Sequence, residues 1–309
     1  MPGATLPLDS YRLAQQAASL PCYICEEGNT YDVEFCHSCG APMALAHQAN
    51  SQKVCPRLIA VLGASAAGKT VYLGMLMDML SRREDRYKFY ARGAFSITLQ
   101  QVTMSALARC EFPPKTPNEP DRWNWIHCQL QAPREREPLE LIVPDMAGEV
   151  IFEELDHPQT SPLVRSYLGK STGIMLLIDA IKLMEGCQNQ DYLAMKVISH
   201  LAELDRDRKR GWRRPVAVVF TKADQCPPAA DDPDRFAETH AVGLWRQCRD
   251  RLSLYKFFAV GIAGACAWRA THHGGRARVP LRIEPHGVIE PFQWLQEQVQ
   301  AMRLAPPGR

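Results

Sequence analysis

The chain of 309 residues has no apolar run close to the ~20 residues that span a bilayer. Gly173–Ile178, one of the longest, meets a charge at Asp179. The N-terminus shows no basic segment leading into an apolar core, so no secretory leader is read there. Neither sign of charge is in excess. Lys and Arg total 36 against 34 Asp and Glu, a formal net charge of +2, which gives no general argument for nucleic acid or an anionic membrane. Internal repeats and low-complexity tracts are missing. So is the spacing of a disulfide framework. Of 11 cysteines, four form a metal-like cluster and the other seven are scattered, a distribution that suits a reducing cytoplasm. Hydrophobic content is 46%, enough for a sizeable core in one large domain or two modest ones.

What is present begins with Gly63–Thr70, a match to Gly-x4-Gly-Lys-Ser/Thr. It follows the apolar run Arg57–Leu62, read as a buried strand. It precedes Val71–Leu80, read as a helix. Gly63, Ala64, Ser65, Ala66, Ala67 and Gly68 are small enough for their N–H groups to turn inward around a phosphate. The helix N-terminus that Val71 helps to open adds partial positive charge. In this pattern Lys69 reaches the β- and γ-phosphates, and the Thr70 hydroxyl ligates Mg²⁺.

Two further strand ends carry chemistry. Leu139–Pro144 leads into Asp145-Met-Ala-Gly148-Glu149, where an acid beside the phosphate loop can hold Mg²⁺ through water. Gly148 can then bring its N–H against a γ-phosphate, because glycine lets the chain approach closely. Pro215–Phe220 leads into Thr221-Lys222-Ala223-Asp224. A carboxylate there accepts from N1–H and the 2-amino group of guanine, a donor pair that adenine lacks. The Lys222 stem can lie across the base plane, and Thr221 can tie this loop to the phosphate loop.

On these three motifs, the chain from about Pro56 to Met302 resembles the small Ras-like P-loop GTPases of the translation-factor-related class. It is similar in particular to bacterial double-GTPase type proteins with a zinc ribbon ahead of the GTPase domain. The resemblance implies GTP and GDP binding, Mg²⁺, slow hydrolysis, and two switch segments that read the γ-phosphate. It also implies a Mg²⁺-ligating threonine in the first switch, for which Thr116 in Phe112–Pro117 is the best candidate, ahead of Thr98 and Thr103. The fourth motif usually begins with Asn, and here with Thr221. Glu149 stands where a water-orienting glutamine is usual. A carboxylate accepts from water but cannot donate to the transferring phosphoryl group. Slow turnover, or a partner supplying an arginine, follows. The last base-contacting motif is replaced by Val260–Gly264, with Ala263 the expected contact. The catalytic set is thus Lys69, Thr116, Gly148 and Glu149.

Cys22-x2-Cys25 and Cys36-x2-Cys39, ten residues apart, read as a four-thiolate Zn²⁺ site of zinc-ribbon type. Zinc supplies the folding energy of so short a segment. His37 reads as solvent-facing rather than a ligand. Docking to a protein or nucleic acid is the functional alternative to a plain cap, and too few basic and aromatic residues surround the module to argue nucleic acid. The basic stretch Arg206–Arg214 reads as a solvated helix end. Trp123 and Trp125 read as core or edge cover, with an exposed partner face as the alternative.

The expected fold is α/β: a mostly parallel six-stranded sheet with helices on both faces. Its strands are 57–62, 123–131, 138–144, 173–179, 215–221 and 256–262, with 123–131 and 138–144 an edge hairpin turning at 132–137. Helices are expected at 69–82, 159–169, 190–209, 233–251 and 289–302, and ordered loops at 113–120 and 226–233. A zinc ribbon (1–50) precedes a GTPase domain (51–309). The expected function is a cytoplasmic guanine-nucleotide switch, read by a regulatory or effector protein or a second GTPase chain. A non-hydrolysing GTP-bound scaffold and an ATPase are the alternatives.

Overall fold

The structure, a computed structural model, describes residues 19–52, 56–82, 88–92, 94–131, 139–206, 214–270 and 275–304. The N-terminal module holds β1 (Leu20–Pro21), β2 (Gly28–Asn29) and helix α1 (Met43–Gln52). Next come β3 (Arg57–Gly63), α2 (Lys69–Ser81), β4 (Lys88–Arg92), α3 (Ala94–Ala108), β5 (Asn124–Gln131) and β6 (Leu139–Asp145). The middle of the chain forms α4 (Gly148–Asp156), α5 (Pro162–Lys170), β7 (Gly173–Asp179), α6 (Ala180–Met184), α7 (Gln188–Arg206) and β8 (Val216–Thr221). The last part forms α8 (Pro227–Asp231), α9 (Pro233–His240), α10 (Val242–Arg251), β9 (Tyr255–Ala270), β10 (Arg276–His286) and α11 (Ile289–Leu304).

One sheet carries the fold, in the order β10-β9-β8-β7-β3-β6-β5-β4. The five strands from β9 to β6 are parallel. β10 pairs antiparallel at one side, and β5 and β4 at the other. β7 is buried at all seven positions and β8 at all six, which is why both read as unbroken apolar runs: helices cover both faces. Period-two alternation divides the core. Leu58, Ala60, Leu62, Leu176 and Val218 face one side with Tyr167 and Ile198. Ile59, Val61, Leu177 and Val219 face the other with Leu76, Leu99 and Leu295.

Among the described residues the sheet has eight strands rather than the six expected. β4 was missed because it is short and only partly buried. β10 was missed although Ala277, Val279, Leu281 and Ile283 alternate with polar residues, because Pro280 interrupts the pattern. The edge placement of the 123–131/138–144 hairpin is corrected too. The pair is antiparallel, Asn124 opposite Asp145, but β4 lies outside it, and the expected turn falls outside the described residues. The strand expected at 256–262 continues to Ala270. The helix expected at 233–251 breaks at Ala241 into α9 and α10, and the loop expected at 226–233 contains α8, opened by Pro227. Trp123 and Trp125 are buried, which removes the exposed partner face, and Trp123 donates its indole N–H to the Pro117 carbonyl at 2.9 Å. Most of the basic stretch before β8 lies outside the described residues. Its last member, Arg214, is buried and donates to the Leu168 and Ser171 carbonyls at 2.6 and 3.2 Å, so it is no solvated cation.

The N-terminal module packs on the same core as the Tyr167 face of the sheet. Lys170, the last residue of α5, donates to the Tyr23 carbonyl at 2.6 Å, pairs with Glu26 at 2.9 Å and lies 4.8 Å from the Tyr23 ring centroid. Tyr23 in turn donates its hydroxyl to the Pro56 carbonyl, just ahead of β3. Helix α1 runs across the division expected at residue 50.

Candidate functional site

Parallel strands bring their C-terminal ends to one rim, where loops rather than ladders must satisfy the backbone. Gly63 ends β3, Asp145 ends β6 and Thr221 ends β8. The three sequence motifs therefore converge in space. A cleft of about 370 Å³ lies along this rim, lined among others by Ser65, Lys69, Thr70, Thr116, Gly148 and Asp224.

The phosphate loop turns through left-handed backbone at Ala66 (φ 61°) and Gly68 (φ 89°) before α2 opens at Lys69. Gly68 suits that conformation; Ala66 holds it against its preference. Lys69 is buried, its ammonium donating to the Gly63 and Ala64 carbonyls at 2.9 and 3.1 Å. Burial pushes its pKa down to about 8, against the attraction of Asp145 and Glu149. Gly148 presses on the same loop. A Cβ there would lie 2.7 Å from Ser65 N and 2.8 Å from the Gly63 carbonyl oxygen, so only glycine fits.

Three oxygen-bearing side chains meet beside Lys69. The Thr70 and Thr116 hydroxyls lie 2.9 Å apart, Thr70 is 3.2 Å from Asp145 Oδ1, and Thr116 donates to Asp145 Oδ2 at 3.1 Å. Thr116 comes from the coil between α3 and β5, 46 residues from Thr70. Burial raises the Asp145 pKa, opposed by hydrogen bonds from Thr70 and Thr116 and by the Lys69 charge. Two hydroxyls and a carboxylate are hard oxygen donors, and they fit Mg²⁺. Glu149 stands next to them, its carboxylate 2.6 Å from the Lys115 ammonium. Partial burial pushes Glu149 up, but hydrogen bonds from Lys115 and Ser65 outweigh it and hold the group at about 2.

At the other end of the cleft, the Thr221 hydroxyl lies 2.8 Å from the Ala67 carbonyl oxygen, tying the β8 loop to the phosphate loop. Lys222 takes a left-handed conformation (φ 60°) and pairs with Asp179 at the tip of β7. Asp224 is half-buried, and one carboxylate oxygen accepts from the Gln225 amide at 2.8 Å. Gln225 also reaches Cys266 Sγ at 3.3 Å. Ala263 lines the cleft, but from within β9 rather than from a loop at a strand end. β9 runs on and is covered by β10, which contributes Arg278 to the wall. Val71 follows Thr70 in the first turn of α2 and also lines the cleft.

Lys115, Gln225, Cys266 and Arg278 are among the lining residues that the sequence motifs do not reach. The signal for Arg278 was the alternation of 276–283 around Pro280. Lys115 and Gln225 stood beside residues already singled out.

The cysteines form a second centre. Their four sulfurs lie within 4.8 Å of one another, with Cys22–Cys39 at 3.7 Å and Cys25–Cys36 at 3.6 Å. Tetrahedral Zn²⁺ with sulfur at ~2.3 Å needs edges of about 3.8 Å, so the residues present fit zinc. Each pair is followed by a left-handed turn residue, Glu26 (φ 68°) and Gly40 (φ 77°). The hydrogen bond with Cys39 holds the Cys22 thiol down at about 5. His37 is exposed, its ring Nδ1 2.8 Å from the Asn29 side-chain oxygen.

A phosphate loop between β3 and α2, an acid and a glycine after β6, and Thr-Lys-x-Asp after β8 define a P-loop GTPase fold. The chain belongs to the Double-GTPase 2 family, whose model matches residues 57–253. Family and fold together support a GTP-binding switch. No curated protein matches the chain. Among solved structures, the Arl6 BBS3 small GTPase of Trypanosoma brucei, solved with a bound GppNp analogue, is 14% identical over 80% of this chain and 98% of its own, TM-score 0.40. The Ski7 GTPase-like domain of S. cerevisiae, bound to GTP, is 15% identical over 82% of this chain and 51% of its own, TM-score 0.44.

Proposed function

We propose that the chain is a guanine-nucleotide switch that hydrolyses GTP to GDP slowly, working in the cytoplasm with a regulatory or effector protein that reads its switch segments. One observation carries this reading. Lys69, Thr70, Thr116, Gly148, Thr221 and Asp224, drawn from four separate segments, line one cleft. In this reading Lys69 and the N–H groups of residues 63–70 hold the phosphates, and the first turn of α2 adds its dipole. Thr70, Thr116 and Asp145 would hold Mg²⁺, which when bound would supply positive charge against the phosphates. Gly148 N–H reads the γ-phosphate, and Thr116 is drawn to the same point, so the segments 110–120 and 145–165 order together and relax after its loss. Asp224 selects guanine, oriented by Gln225.

The zinc ribbon (1–50) serves in this proposal as a folded cap on the GTPase domain (51–309), with Lys170 as its anchor. Partners that read the switches include a second GTPase chain. Among the described residues no helix is long and apolar enough to cross a membrane. The GTP-bound scaffold remains the second reading, favoured by the carboxylate at Glu149. Single-turnover hydrolysis with Mg²⁺ separates the two. Phosphate release clearly faster than from free GTP is expected, and release at the uncatalysed rate leaves the scaffold.

A further inference from the structure

We propose that Lys115 and Glu149 act as a catalytic pair: Lys115 supplies from within the chain the positive charge beside the γ-phosphate, and Glu149 orients the attacking water. The inference rests on the GTP-hydrolysing reading above and assigns roles within that site.

A carboxylate after Asp-x-x-Gly is a liability when it faces a polyanion alone, because like charges repel more strongly out of bulk water. Here Glu149 is not alone. Lys115 Nζ lies 2.6 Å from its Oε1, a charge-assisted contact between two separate cleft-lining segments. Lys115 immediately precedes Thr116, whose hydroxyl stands 3.1 Å from Asp145 and 2.9 Å from Thr70. Placing Thr116 at the candidate Mg²⁺ position therefore places Lys115 at the phosphate end. Its charge is also close enough to Lys69 to help lower that residue's pKa. Pro113, Pro114 and Pro117 flank the pair Lys115–Thr116 and stiffen the backbone that presents them. Glu149 is fixed from its own side by Gly148, whose backbone abuts Ser65.

The second observation is the exposure of Glu149. Its side chain is 37% exposed and lines the cleft, so the carboxylate that meets Lys115 through one oxygen also faces the space that a water would occupy.

The step balances without further reagents. The water oxygen attacks the γ-phosphorus. The bond from phosphorus to the β,γ-bridging oxygen breaks, and its electron pair stays on the β-phosphate of GDP. The proton lost by the water ends on the released inorganic phosphate. Glu149 accepts a hydrogen bond from the water. Lys115 stays protonated and shares its N–H groups between Oε1 and a γ-phosphate oxygen. The charge that the sequence reading left to a partner's arginine then has a source in this chain.

The test uses the full chain with zinc and Mg²⁺, in wild type, Lys115→Met, Lys115→Arg and Glu149→Ala. Lys115 is 63% exposed, so its replacement leaves the core untouched. Two readouts are taken: single-turnover hydrolysis, and the ratio of affinities for GppNHp and GDP by displacement of a fluorescent GDP analogue. Lys115→Met is expected to slow hydrolysis by about tenfold or more and to weaken GppNHp about tenfold, with GDP changed less than about twofold. Lys115→Arg retains the charge and is expected to keep both within about threefold of wild type, and a loss as large as that of Lys115→Met overturns a role based on charge. Glu149→Ala is expected to slow hydrolysis without weakening the GppNHp to GDP preference, which sets it apart from Lys115→Met. Lys115→Met that leaves the ratio unchanged, or weakens both nucleotides equally, overturns the role of Lys115. Wild-type rates in Glu149→Ala overturn that of Glu149. A wild-type protein that binds no GDP sinks the GTPase reading itself, a different outcome from either.

Discussion

At the phosphate end of the cleft Thr70, Thr116 and Asp145 sit within 3.2 Å of one another beside a buried lysine. At the base end Asp224 is half-buried and accepts from a neutral amide, that of Gln225, which leans on a cysteine of β9. The first end is a closed network in which the charges of Lys69 and Asp145 are buried and the two hydroxyls partly so. The second is an open wall whose far side is the β9–β10 hairpin. Burial makes the phosphate end strong and sensitive to charge. The base end is weaker but more selective, because its value lies in matching one donor pair. Affinity in this cleft is thus expected to come mainly from one end and identity from the other.

The largest expected effect breaks the phosphate end alone. Lys69→Met removes the buried cation and is expected to weaken GDP on the order of 100-fold, about 3 kcal/mol, with the preference for GDP over ADP preserved. Calorimetric titration of both nucleotides checks this. Wild type carries a milder form of the same test. Because burial lowers the Lys69 pKa from 10.5 to about 8, the nucleotide-free protein loses this proton as pH rises through 8, while the unfolded chain keeps it to near 10.5. The unfolded state then binds more protons, so the fold without nucleotide gains stability across that window. Phosphate binding needs the proton back, so GDP affinity is expected to fall above pH 8, approaching tenfold per unit.

The smallest effect belongs to the base end. Gln225→Ala removes the amide that holds Asp224 and is expected to weaken GDP by about fivefold, near 1 kcal/mol. The loss should appear in the GDP to ADP ratio and leave the pH dependence as it was. A loss shared equally by both nucleotides would mean that the two ends are not separable.

The same division governs what was legible in the sequence. Phosphate binding uses consecutive N–H groups at a helix start, so Gly63–Thr70 is contiguous and readable. Asp145, Gly148, Thr221 and Asp224 each lie within a few residues of a strand end, where apolar runs give them away. Thr116 was reached through the resemblance and the Pro-rich setting of its loop. The wall formed by Cys266 and Arg278 depends on antiparallel register across β9 and β10, with shifts near Pro280. No local pattern encodes that register. Nor does spacing in the chain show that Lys115 meets Glu149 across 34 positions, since only the closed fold brings their segments together.

The most direct measurement is competition of GDP and ADP against a fluorescent GDP analogue on the zinc-loaded chain, for wild type and Asp224→Ala. In wild type GDP is predicted to compete at concentrations about 100-fold below those of ADP, and in Asp224→Ala the gap is predicted to shrink to a few-fold. Equal competition by ADP in wild type, or a cleft that takes up neither nucleotide, would contradict the account.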